Sequence, residues 1–159
     1  MRGAILRVSL VSMPSIAGVS VGFAFGADGA GRYTIRGTAH ADHLSGTGGG
    51  DVICLLGGDD ESDAGAGDDV VYAGRGDDLV DGEGGGDRLL GQAGEDNLTG
   101  SGGPDVLKGG RSSDPCLDAH DGAGSDNVDG GPGRNLAYAD SRDRVVNARR
   151  VTCIAPPRL

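Results

Sequence analysis

The sequence predicts an all-β fold, a two-sheet parallel β-solenoid wound at 18 residues per coil with short terminal caps. Three observations predict it. The 159-residue chain holds 33 Gly and 21 Asp but two Phe, three Tyr and no Trp. A nine-residue period runs through its middle. Within each nine, one acid and one aliphatic residue keep fixed places.

Composition excludes a helical bundle, because Gly and Asp favour turns over helices. Charge is segregated: residues 1–36 carry +3, residues 37–129 carry −17 and residues 130–159 carry +4. An acidic middle repels phosphate backbones and anionic membranes, and it suits a cation as partner. No nucleic acid is therefore expected, and any protein or cell-surface partner is left open. Cys54, Cys116 and Cys153 form no C-x-x-C pair, so neither a zinc ribbon nor a redox motif is supported.

The first 27 residues read two ways. Arg2 and Arg7 precede a mostly apolar stretch to Ala27, as in a secretory signal peptide. Val19, Val21, Phe23 and Phe25 alternate with small residues, the period of a half-buried capping strand. Pro14 and several Ser and Gly make the stretch a poor membrane span.

Nines counted from Gly37 give nine ungapped copies to Leu117, beginning GTAHADHLS and GTGGGDVIC. Asp118-Ala119-His120 then break the frame, which resumes as DGAGSDNVD at 121–129 and fades in 130–138; residues 28–36 are a partial copy. Column six is Asp42, Asp51, Asp60, Asp69, Asp78, Asp87, Asp96, Asp105 and Asp114, then Asp126. Column four is Gly49, Gly58, Gly67, Gly76, Gly85, Gly94 and Gly103, with His40 and Ser112 as departures. Column eight is aliphatic except for Ser62 and Cys116. A disordered acidic coil would not hold three columns in one frame.

Columns one to six read as a Gly-rich turn, and columns seven to nine as a short strand with one side chain pointing inward. Two nines close one coil. Alternate Asp residues then share a flank: Asp42, Asp60, Asp78, Asp96 and Asp114 on one, Asp51, Asp69, Asp87 and Asp105 on the other, with Asp126 following. Strands stack about 4.8 Å apart. Carboxylates at that spacing repel unless cations sit between them. Calcium suits the site, since it accepts carboxylates and carbonyls in flexible geometry whereas magnesium demands a tight octahedron.

The string G-G-x-G-x-D-x-U-x resembles the repeat of the RTX (repeats-in-toxin), or haemolysin-type, calcium-binding family. The resemblance covers residues 37–129 well and 28–36 and 130–138 weakly. It implies a secreted, extracellular protein folded as a parallel β-roll, with several Ca²⁺ ions held between successive turns. By column, it implies the Asp side chains above as ligands, joined by the carbonyls of columns two and four. Leu55, Leu56, Ser62, Ser112, Pro115 and the three-residue insertion depart from the pattern. The thin core and the −17 middle imply folding coupled to calcium.

Other motifs are weaker. Gly18-Val19-Ser20-Val21-Gly22 matches a nucleophile-elbow string without the helix that elbow needs. His40, His43 and His120 read as surface residues, and Asn97-Leu98-Thr99 is a sequon on a strand. No catalysis is expected. A Cys116–Cys153 disulfide is one alternative, two inert thiols the other. Residues 139–159 mix Val145, Val146 and Val151 with Arg142, Arg144, Arg149 and Arg150, which suits an irregular strand lying across the last coil as a cap; a disordered tail is the alternative. The chain reads as a stand-alone calcium-binding module. The alternatives are a calcium-stabilised secretion and folding module related to a larger toxin or exoenzyme, and an adhesin spacer.

Overall fold

The computed structural model describes residues 23–27, 33–122 and 124–151. The signal-peptide reading, the Gly18–Gly22 string and Cys153 lie largely or wholly outside them. Every regular element among the described residues is a strand. In chain order these are β1 (Phe23–Ala27), β2 (Tyr33–Arg36), β3 (His43–Thr47), β4 (Asp51–Cys54) and β5 (Glu61–Gly65). Next come β6 (Val70–Arg75), β7 (Leu79–Asp81), β8 (Arg88–Ala93), β9 (Asn97–Thr99) and β10 (Val106–Arg111). Last are β11 (Cys116–Ala119), β12 (Asn127–Asp129), β13 (Leu136–Ala139), β14 (Arg144–Val146) and β15 (Arg149–Arg150).

The chain alternates between two sheets at every nine residues. One sheet runs β1-β2-β4-β6-β8-β10-β12-β14 and the other β15-β13-β11-β9-β7-β5-β3. Register is set by the period: Ile53 lies beside Val71, Val71 beside Leu89, and Val80 beside Leu98. Each step is 18 residues and parallel, which makes the molecule a β-roll. β1 differs, pairing antiparallel with β2.

Period-two alternation sends column eight inward. Ile53, Val71, Val80, Leu89, Leu98 and Leu107 are fully buried and form one continuous core with Leu55, Ala64 and Ala73 from column one. Leu55 therefore fills the core. Beside it, Leu56 takes φ 79°, as do Glu83 (62°) and Gln92 (75°) at the same column. From Leu56 to Gly110 column two is left-handed whether or not glycine occupies it, at a cost to the bulkier residues. Column four carries positive φ from Gly58 through Gly103. A Cβ on Gly76, Gly85, Gly94 or Gly103 would strike the carbonyl oxygen one coil earlier.

The ninth copy corrects the assignment of Cys116 to the core column. Cys116 is half-buried, and Leu117 is the fully buried residue, in register with Leu98. Pro115 is the physical reason. At each equivalent position the N–H donates to the column-six carbonyl one coil before, as from Asn97 to Asp78 and Val106 to Asp87. Pro115 has no N–H to give, so the strand begins one residue later. Of the three extra residues one is taken up at Pro115 and two in the turn before β12, which still stacks on β10. β14 and β15 stack in parallel on β12 and β13. They extend the solenoid instead of lying across its end.

The outward faces differ. The β2-to-β14 sheet exposes Arg36, Arg88, Lys108 and Arg144, with Asp129 half-buried among them. The other presents exposed Glu61 and half-buried Asp63, Asp81 and Asp118, and its terminal strand β15 exposes Arg149 and Arg150.

Candidate metal centre

Each column-six aspartate sits at the junction where a turn enters a strand, so stacking coils stacks the carboxylates. The two flanks form as the period requires. Asp42, Asp60, Asp78, Asp96 and Asp114 follow one another on one side, and Asp51, Asp69, Asp87, Asp105 and Asp126 on the other. All ten are buried.

Backbone donors orient them. The Asp42 N–H donates to Asp60 Oδ1 at 2.8 Å, Asp60 N–H to Asp78 Oδ1 at 2.9 Å, and Asp78 N–H to Asp96 Oδ1 at 3.1 Å. On the other flank Asp69 N–H donates to Asp87 Oδ1 at 2.9 Å, and Asp87 N–H to Asp105 Oδ1 at 2.8 Å. One oxygen of each inner carboxylate is thus fixed by the coil before. The other is not: Oδ2 of Asp60, Asp78, Asp87, Asp96, Asp105, Asp114 and Asp126 is buried without a hydrogen-bond partner. A Cβ on Gly82 or Gly100 would stand 2.5 Å from Oδ2 of Asp87 or Asp105, so a column-one glycine makes room for that oxygen.

Such atoms are costly unless something satisfies them. Burial, with the charges of neighbouring carboxylates adding to it, raises Asp78 and Asp87 to about 7 and Asp96 and Asp126 to about 6. Asp60, Asp105 and Asp114 are also raised, chiefly by burial. The N–H bonds oppose the shift without cancelling it. Seven buried carboxylates in two files, each with a bare oxygen, are a site for positive charge.

Among the described residues, no group of three His, Cys, Asp or Glu side chains converges on one point. Hard ions such as calcium take backbone carbonyls beside carboxylates, whereas zinc takes mostly Cys and His side chains. Column-two carbonyls of Leu56, Gly65 and Glu83 accept N–H groups from Arg75, Gly84 and Gly102 at 3.2, 3.0 and 2.7 Å, and each retains a second lone pair. Column-four carbonyls of Gly58, Gly67, Gly76 and Gly85 stack against the next coil's glycine. Gly94 and Gly103 continue that column; Gly49 precedes it and donates its N–H to the Thr47 hydroxyl at 3.3 Å.

The histidines stand apart from both files. His40 is exposed; His43 pairs with Glu61 at 3.1 Å, and His120 stacks on Tyr138 with ring centroids 4.4 Å apart. Each file has one further rung, Asn135 in column six of the fading copy and Asp143 outside the column count. Asn135 Oδ1 accepts the Asp114 N–H at 2.9 Å, and Asp143 Oδ1 accepts the Asp126 N–H at 3.1 Å. Asp143 is followed by Arg144-Val145-Val146, a strand like those after the other rungs, and that was the available signal. Among the described residues, no helix is long and apolar enough to cross a membrane.

A family comparison agrees with this geometry. Four copies of the RTX calcium-binding nonapeptide repeat match residues 27–53, 56–89, 90–114 and 119–141. No curated protein and no solved structure matches the chain. With more than half its length matched and the repeat's aspartates stacked in two files, this chain belongs to the RTX calcium-binding nonapeptide repeat family.

Proposed function

We propose that this protein is a secreted calcium-binding module in which several Ca²⁺ ions hold successive coils together, and that folding is coupled to their uptake. The observation that carries this reading is the row of buried Oδ2 atoms without donors. The column-six aspartates from Asp60 to Asp126 would supply carboxylate oxygens, and the carbonyls of columns two and four the neutral ones. Bound calcium supplies charge neutralisation in the two files. The chain's own part is to orient each carboxylate through Oδ1, to keep one side open with a column-one glycine, and to exclude water by stacking. No step of covalent chemistry is assigned to it. Secretion is supported by the family and by the basic-then-apolar N-terminal sequence.

The test is circular dichroism of the full chain, metal-free and then titrated with calcium. The metal-free chain at pH 7.5 should be largely disordered, and calcium at roughly 10⁻⁴–10⁻³ M should restore the β signal. A fully formed roll in excess chelator would overturn the coupling.

A further inference from the structure

The two files do not run unchanged to the ends of the solenoid. At the first rungs, the oxygen that is bare inside is covered. Asp42 Oδ2 accepts the Thr38 N–H at 2.5 Å and the Thr38 hydroxyl at 2.9 Å. Asp51 Oδ2 accepts the Thr47 N–H at 2.6 Å and the Thr47 hydroxyl at 2.8 Å. The atom without a hydrogen-bond partner there is Oδ1.

The last rungs are closed by different donors. On one flank Asn135 replaces the carboxylate, and its Nδ2 donates to the carbonyls of Gly131 at 3.0 Å and Asn147 at 3.1 Å. An amide N–H₂ bridging two carbonyls occupies the place where a cation would draw on them. On the other flank Asp143 Oδ2 accepts the Asp140 N–H at 2.6 Å. Arg150 lays its guanidinium across the carbonyls of Asp140 and Asp143, at 2.8 and 2.9 Å. A fixed cation from the chain ends that file.

We propose that the chain closes both files with its own donors, Thr38 and Thr47 at the first rungs and Asn135, Asp140 and Arg150 at the last. Calcium is thereby confined to four inner rungs per flank: Asp60, Asp78, Asp96 and Asp114 on one, Asp69, Asp87, Asp105 and Asp126 on the other. The proposal rests on the calcium reading and deepens it, because it makes ion number a property of the end residues. A carboxylate oxygen that accepts two hydrogen bonds, as at Asp42 and Asp51, has both lone pairs engaged, and a neutral amide brings no negative charge to a hard cation.

The experiment counts ions on the full-length chain by native mass spectrometry in calcium, with calorimetry for affinity. Asn135→Asp should bind one ion more than the parent, and the double variant Asp42→Asn/Asp51→Asn the same number as the parent. A folded Asn135→Asp protein with the parental count would overturn the closure at the last rung. Loss of ions from the double variant would overturn it at the first. Should Asn135→Asp fail to fold, Arg150→Ala replaces it: an added ion supports the closure, and an unchanged count in the folded variant overturns it. A parent chain that takes up no calcium overturns the earlier reading instead, and the two failures are therefore distinct.

Discussion

The middle of the roll and its C-terminal coils share one backbone architecture and differ in what satisfies the aspartate column. From Asp60 to Asp105 the coils repeat without interruption, Oδ1 is held by the neighbouring N–H, and Oδ2 of Asp60, Asp78, Asp87, Asp96 and Asp105 is bare. From Pro115 onward the sequence loses its frame, yet β11 to β15 still stack in parallel. There the final rungs find their partners within the protein: the Asn135 amide donates to the carbonyls of Gly131 and Asn147, and the Asp140 N–H donates to Asp143. Stacking and the proposed metal dependence are therefore separable. Strand pairing needs backbone N–H groups in register and an inward apolar side chain, whereas the proposed need for a cation arises where the carboxylate has no other donor.

The largest effect that can sharpen this contrast comes from deleting one rung in each region. Asp78→Ala and Asp143→Ala each strip a buried N–H of its acceptor, on Asp60 and Asp126 respectively, a loss of about 1–3 kcal/mol. Only Asp78→Ala should also lower the calcium count and weaken the sites above and below it. Calorimetry that shows equal calcium binding for both variants would erase the distinction.

A smaller effect concerns pH. Burial and like-charged neighbours raise Asp78 and Asp87 to about 7 and Asp96 and Asp126 to about 6 in the folded, metal-free roll. Their unfolded values are about 3.9. The folded state binds these protons more tightly, so stability of the metal-free roll falls as pH rises from about 4 to 7. Metal-free protein should show more β structure at pH 5 than at pH 7.5. Asp129 is shifted the other way by the Asn147 amide and the Gly131 N–H, so it adds nothing to the gain between pH 7.5 and 5. Circular dichroism at the two pH values checks this, and identical spectra would contradict it.

The smallest expected effect is at Ser62, which interrupts the aliphatic column between Leu44 and Val80. Its buried hydroxyl has no partner. Ser62→Ala removes that polar group and should stabilise the calcium-bound roll by about 1 kcal/mol, a rise of a few degrees in Tm. A lowered Tm in a thermal melt would show the hydroxyl to be favourable.

How far the sequence could be read follows from what repeats. The 18-residue coil, the two sheets and the two aspartate files are all consequences of a nine-residue frame, and a frame is visible in a string. What was hidden is tied to single atoms. Pro115 displaces the following strand because one N–H is missing, so Leu117 takes the core place that counting gives to Cys116. Asp143 follows Asp126 by 17 residues and so falls off the period, and Asn135, although it stands in column six, gives no sign in the sequence that its amide bridges two carbonyls. The Thr38 and Thr47 hydroxyls look like ordinary turn residues until their aspartates are seen beside them. Leu56, Glu83 and Gln92 in left-handed backbone give no compositional hint, because the neighbouring coils impose that conformation on whatever residue stands there.

The unequal outer faces have a consequence for how the molecule meets a field. In the metal-free chain the two acidic files dominate, and the protein behaves as a polyanion. Once cations neutralise the files, the contrast between faces emerges: Arg36, Arg88, Lys108 and Arg144 stand on one sheet, and Glu61, Asp63, Asp81 and Asp118 on the other. Opposite charges on two sides of a thin slab make a transverse electric dipole. Loading with calcium thus gives the particle a front and a back, and close to a charged surface, within the Debye length of about 10 Å at 0.1 M salt, it turns one sheet toward that surface.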